Sequence, residues 1–206
     1  MRWGGARRLP PTPLPRSAST DLMPTGTPSE ALSAIFWKSE DIAAILRGRG
    51  WLGAAYNDAA APAMSAWLAR ASDLLGPHAA DRTSLERLLA LVFSYEARAM
   101  LQDATNQAVL TREGAREVIR ELANRVLAGG DVDSDRLKRI IDEMKAAVSC
   151  RSRDLFLPIR VALVGVAGDR ELDRVILLLD AATKLSFATP VKGTRQRMLE
   201  FCAALD

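Results

Sequence analysis

Histidine and cysteine are nearly missing from these 206 residues, which hold one histidine, His78, and two cysteines, Cys150 and Cys202. The cysteines lie far apart and neither belongs to a Cys-x-x-Cys pair, which argues against a zinc site or a disulfide framework and fits a reducing cytoplasm. His78 follows Gly76-Pro77 in a turn and has no second histidine with which to share metal or proton chemistry. Paired carboxylates, a serine triad, a cysteine–histidine pair and a glycine-rich phosphate loop are missing as well. The sequence therefore assigns no catalytic residue, no metal and no cofactor, and we do not read the chain as an enzyme. Long apolar runs are scarce too: the longest, Leu155-Phe156-Leu157-Pro158-Ile159-Arg160-Val161-Ala162-Leu163-Val164-Gly165, falls far short of the about 20 residues that cross a bilayer. Nor does one sign of charge dominate. With 28 Lys and Arg against 25 Asp and Glu, the net charge of +3 does not by itself call for a polyanionic partner.

What is present is alanine, leucine and valine at helical spacing, with 49% hydrophobic and 26% charged residues, so most of the chain should fold. Residues 1–27 are the exception. They are rich in Pro, Ser, Thr and Gly and place Arg2, Arg7, Arg8 and Arg16 before the first acid, Asp21, a composition that builds no core. The prolines interrupt any amphipathic transit helix and no apolar signal core is present; we read a disordered tail, or an upstream extension of a chain that starts at Met23. Residues 28–109 and 110–206 read as two small helical lobes sharing an interface. In the first, Ser39 caps a helix through Ile42, Ile45 and Leu46; a second runs from about Asp58 to Leu75 with Pro62 in its first turns; and Thr83 with Glu86 opens a long helix from Ser84 to about Gln102. In the second, Thr111 caps a helix through Val118 and Leu122, Asp133 or Ser134 one through Ile140 and Met144, and Asp169 one through Val175 and Leu179, before a last helix from Thr194 to about Leu205 buries Met198, Leu199, Phe201 or Cys202. The apolar run itself is read as a helix from about Asp154 to Val164, with Pro158 in its first turn, where a missing N–H costs little.

A single arginine inside that run needs a reason. Arg160 must pair, snorkel or face a ligand, because an unpaired buried guanidinium is too costly to keep. A core salt bridge to Asp154 or Asp169 is one resolution and a ligand contact is the other.

The residues around it resemble the anticodon-binding region of bacterial glutamyl-tRNA synthetases. In that family a basic helix end leads into Leu-Phe-Met-Pro-Leu-Arg-x-Ala-Leu-Thr-Gly and then a loop closing Gly-Pro-Glu-Leu. Here Leu155, Phe156, Pro158, Arg160, Ala162, Leu163, Gly165, Glu171 and Leu172 match in order and spacing, and the similarity is strongest over Asp142 to Leu179. Among the departures, Val164 stands for threonine, Arg170 for proline and Asp180 for the glycine common after the Leu-Leu pair. The resemblance implies an all-α, cage-like bundle. It also implies that Arg160 hydrogen-bonds a base edge or phosphate and that Leu172 stacks beneath a base. Lys145, Arg151 and Arg153 add basic residues around the motif, and Arg170, in place of the proline, is read as a new phosphate contact. Splayed single-stranded bases are what proteins usually read in RNA.

These 206 residues contain no His-x-Gly-His signature and no Lys-Met-Ser-Lys-Ser-type loop, so they are not expected to activate glutamate. The expected function is a standalone tRNA-binding module for the anticodon arm, working beside a synthetase or a tRNA-modification protein, with no membrane. The alternatives are a protein-interaction or regulatory domain that kept the fold and lost its RNA site, and a cut-down synthetase acting with a separate catalytic chain. The four tryptophans and the Leu/Ile stripes read as core rather than as base-stacking platforms.

Overall fold

Helical spacing becomes ten α-helices and no strand among the described residues, which are 36–53, 61–148 and 152–205 of the computed structural model. They are α1 (Ser39–Gly48), α2 (Pro62–Leu75), α3 (Arg82–Phe93), α4 (Ala97–Gln102), α5 (Ala104–Leu110), α6 (Ala115–Leu127), α7 (Ser134–Ala147), α8 (Ser152–Val164), α9 (Glu171–Ala182) and α10 (Thr194–Leu205), with a 3-10 turn at Gly76–His78. The expected all-α class is what forms. The tail 1–27, Tyr56, Asp58, Cys150 and Arg151 lie outside the described residues.

Local signals explain most boundaries. At the end of α1 the Trp51 N–H donates to the Leu46 carbonyl and the Gly50 N–H to that of Arg47, a six-to-one closure that needs the positive φ of 72° held by Gly50. Pro62 opens α2, where its missing N–H would have been unpaired anyway. Asp133 caps α7 by accepting from the Arg136 N–H at 2.8 Å.

Other boundaries correct the sequence expectation. Ser39 begins α1 instead of capping it; the cap is Lys38, whose N–H donates to Asp41 at 2.8 Å. The expected helix from Ser84 to Gln102 is two helices, capped at the first by Asp81, which accepts from Ser84, and broken at Ser94-Tyr95-Glu96. Thr111 closes α5 by donating its hydroxyl to the Gln107 carbonyl, and Gly114, at φ 78°, starts α6. Arg170 rather than Asp169 occupies the cap position of α9, and Leu199 is half exposed. Pro158 sits well inside α8 rather than in its first turn.

Helices on both sides of position 109/110 feed one apolar core. Trp67 of α2 donates its indole N–H to the Leu178 carbonyl of α9 at 3.1 Å. Trp51 stacks on Phe93 at 4.7 Å, and Trp67 and Phe187 meet Phe93 edge-on. All four aromatics are therefore packing residues, as expected of the tryptophans at 51 and 67. α8 lies at the centre, against α5, α6, α9 and α10. Nearly all of its residues from Leu155 to Val164 are buried, which is how a helix apolar on every side must sit. Val164, the stand-in for threonine, is fully buried, and the core that surrounds it would leave a hydroxyl in need of a partner.

Two buried polar groups tie the chain across long distances. Arg197 of α10 is 0% exposed. Its guanidinium donates to the carbonyls of Val92 at 2.6 Å, Leu163 at 2.9 Å and Lys192 at 2.8 Å, and lies 4.7 Å over the Tyr95 ring. The first two carbonyls belong to the last turns of α3 and α8, which have no donor of their own and carry the negative end of the helix dipole. A cation is thus buried with no carboxylate paired to it among the described residues. Burial lowers its pKa to about 10, still charged at neutral pH, and pushes the Tyr95 phenol up. The Tyr95 hydroxyl donates to the Ala162 carbonyl at 2.5 Å, which accounts for the break at residues 94–96: a continuous helix would not deliver the ring there. Asp180, the stand-in for glycine, accepts from the Val132 N–H, the Thr194 N–H and the Thr194 hydroxyl, each at 2.6 Å, and so fastens the start of α10 to α9.

Candidate nucleic-acid interface

The cleft that contains Arg160 is built from the central helix outward. Pro158 has no N–H, so the Asp154 carbonyl one turn back loses its helical donor, a defect that costs about 3 kcal/mol in an isolated helix and that full burial of α8 offsets. α8 stops at Gly165, whose N–H reaches the Arg160 and Val161 carbonyls, both at 3.0 Å, and whose φ of 94° turns the chain out of the helix. A Cβ at Gly165 would also run into the Met100 side chain. The chain then crosses to α9 as a loop, 165–170, that is held at several points.

Asn106 of α5 is 2% exposed and pins the beginning of this loop. Its side-chain amide donates to the Gly165 carbonyl at 2.9 Å and to the Met100 carbonyl at 3.0 Å, and its oxygen accepts from the Ala167 N–H at 2.9 Å. Arg160, 6% exposed, holds the far end: Nη1 donates to the Gly168 carbonyl at 2.8 Å, while Nε and Nη2 form a fork on the Asp173 carboxylate at 2.7 and 2.8 Å. The guanidinium lies 5.4 Å over the Phe156 ring. Asp173, not Asp154 or Asp169, is therefore the partner of the stranded arginine. Of the five N–H groups on a guanidinium, these bonds engage three.

Beside this arrangement opens a cleft of about 740 Å³ between α5, the first half of α8 and the loop. Arg112, Arg153, Arg160 and Arg170 line it with Asp169 and Asp173, over an apolar floor that includes Phe156. Arg153 and Arg170 are exposed, and neither has a carboxylate partner among the described residues. Of the residues expected to bind RNA, the structure brings Arg153, Arg160 and Arg170 into this one cleft. Lys145 lines a neighbouring groove with Arg174 and pairs with Asp142 at 3.3 Å. Leu172, expected to stack beneath a base, is 5% exposed and packs under Gly168, where an added Cβ would come within 2.7 Å of it; it supports the loop from below. Arg151 lies outside the described residues.

Residues 49–183 match the family model described as the anticodon binding domain, a span that runs from the Gly50 turn to the end of α9 and contains the whole cleft. The chain belongs to the anticodon-binding domain family. No curated protein and no solved structure matches it. Membership of this family supports a tRNA-binding module, and the anticodon-binding domain here carries its free arginines on the loop side of α8. Among the described residues no group of His, Cys, Asp or Glu is placed to hold a metal ion, and no helix is long and apolar enough to cross a membrane.

Sequence reasoning missed Asp173 and Arg112 in this domain's cleft and Asn106, which pins the loop beside it. For Asn106 a signal existed: Asp103 caps α5 by accepting the Asn106 N–H at 2.9 Å, and the Asp-Ala-Thr-Asn stretch is a helix start. For Asp173 none did, since nothing along the chain marks one acid among Asp169, Glu171 and Asp173 as the one whose carboxylate turns inward.

Proposed function

We propose that this anticodon-binding domain is a tRNA-binding module that receives the anticodon loop in the cleft beside Arg160, is related to glutamyl-tRNA synthetase, and does not charge tRNA by itself. The observation that carries this reading is the pairing of Arg153 and Arg170, exposed and free of acids, with the apolar floor at Phe156 in one cleft. Phosphate oxygens need unneutralised cations, and unstacked bases need an apolar or aromatic surface. The relation to glutamyl-tRNA synthetase rests on the motif from Leu155 to Leu172 and on the family match. A synthetase or a tRNA-modification protein is the partner such a module would serve.

The test is binding to unfractionated tRNA across a salt series. The chain should bind at low salt and release as salt rises, because each neutralised phosphate frees counterions. Replacing Arg153 and Arg170 together by alanine should weaken binding about tenfold and flatten the log–log salt dependence by about 1.5, the share of two contacts. No binding at the lowest salt would overturn the proposal.

One observation favours a second reading. Arg160 is already satisfied by Asp173, Gly168 and Phe156, as a structural arginine would be, which suits a protein-interaction or regulatory domain that kept the fold and lost its RNA site. A pull-down dominated by one protein and unchanged by nuclease would support that reading.

A further inference from the structure

Arg112 lines the cleft on one side and, on the other, a second hollow of about 560 Å³ along the start of α6. Arg116 and Arg120 line that hollow with it. They stand four residues apart on one helix, so their side chains leave the same face about 6 Å from one another. Both are exposed, and neither has a carboxylate partner among the described residues. Arg112 itself pairs with Asp154 at 3.4 Å, but both side chains are more than a third exposed, so a phosphate can replace that weak contact. Glu117 is the acid in this hollow, against three arginines. A basic track thus leaves the cleft at Arg153 and continues through Arg112 to Arg116 and Arg120.

The two hollows differ in chemistry. The cleft has Phe156 in its wall, whereas no aromatic residue among those described lines the α6 hollow. Cations on a rigid helix with no stacking surface suit phosphate oxygens and carry no base readout. The geometry points to a second RNA-binding surface, in which Arg112, Arg116 and Arg120 hold the phosphate backbone of the helical stem that adjoins the loop seated in the cleft. This rests on the reading of the cleft as an anticodon-loop site and extends it: loop bases go to the cleft, and stem phosphates to α6.

The test uses the full chain with two RNAs, an anticodon stem-loop and a single-stranded oligonucleotide of the loop sequence, measured by fluorescence anisotropy across a salt series. Arg116→Ala with Arg120→Ala should weaken stem-loop binding about tenfold and reduce its salt slope by about 1.5, while leaving the loop oligonucleotide bound as tightly as before. Both residues are exposed, and circular dichroism should show an unchanged fold. If the unaltered chain binds the stem-loop and the double variant binds it equally well with the same slope, the α6 surface is overturned while the cleft reading stands. If the unaltered chain binds neither RNA, both fall. An acidic protein partner that loses affinity to the double variant while the stem-loop does not would reassign the track to protein binding.

Discussion

Arg197→Met is expected to lower the unfolding free energy by about 3–5 kcal/mol. The side-chain volume is nearly kept, so the loss is not a cavity. It is the loss of donors. The Val92 and Leu163 carbonyls end α3 and α8 in a dry interior, and without the guanidinium each becomes an unsatisfied acceptor that costs about 1–3 kcal/mol. The Lys192 carbonyl and the face of Tyr95 lose their partner at the same time. Arg197→Lys should recover only part of the loss, because a single ammonium on a flexible stem cannot match a planar fork directed at three carbonyls. Urea unfolding followed by circular dichroism measures both. A methionine variant as stable as the unaltered chain would show that α3 and α8 do not depend on this residue for their ends.

Arg160→Ala is expected to weaken anticodon stem-loop binding by about thirtyfold, which corresponds to about 2 kcal/mol. Two losses combine. The cleft loses a cation with two N–H groups still available, worth about 1.5–3 kcal/mol as a charge-assisted contact, and the loop at Gly168 loses the donor that holds its carbonyl. Stability should fall far less, by about 1–2 kcal/mol, because the Asp173 side chain is 27% exposed and water can take the place of the guanidinium. Asp173→Asn separates the two losses. It keeps the cation in the cleft and loosens its fork, so binding should drop only a few-fold if Arg160 contacts RNA directly. Equal losses of binding in both variants, measured by anisotropy at fixed salt, would mean that Arg160 acts only by shaping the loop.

The parts of this molecule that could be read along the chain are those whose causes are local. Pro62, Asp133 and Gly50 mark helix ends because a cap or a positive φ is settled within a few residues. The motif from Leu155 to Leu172 is legible as a unit for the same reason, and it marks the helix that the fold places at the centre of the core. What could not be read is set by distance. Arg197 meets Val92 across 105 residues and Leu163 across 34, so α10 looks like an ordinary amphipathic helix until its neighbours are in place. Ser84 to Gln102 has an unbroken helical pattern, yet the chain breaks at Tyr95 to bring its hydroxyl to Ala162 on α8. Pro158 violates a local rule in the centre of α8, where tertiary packing outweighs the lost hydrogen bond. Val164 and Asp180 look like lost functional residues beside their relatives. In the fold Val164 fills the core and Asp180 anchors α10, so neither departure bears on the cleft.

The most direct measurement is a competition. With labelled tRNA bound to the chain at low salt, an unlabelled anticodon stem-loop and an unlabelled acceptor-stem minihelix of equal length and charge are titrated separately. If the cleft beside Arg160 holds the anticodon loop, the stem-loop should displace tRNA at least tenfold more effectively than the minihelix, and the preference should vanish in Arg160→Ala. Equal displacement by the two RNAs, or displacement by the minihelix alone, would contradict that assignment.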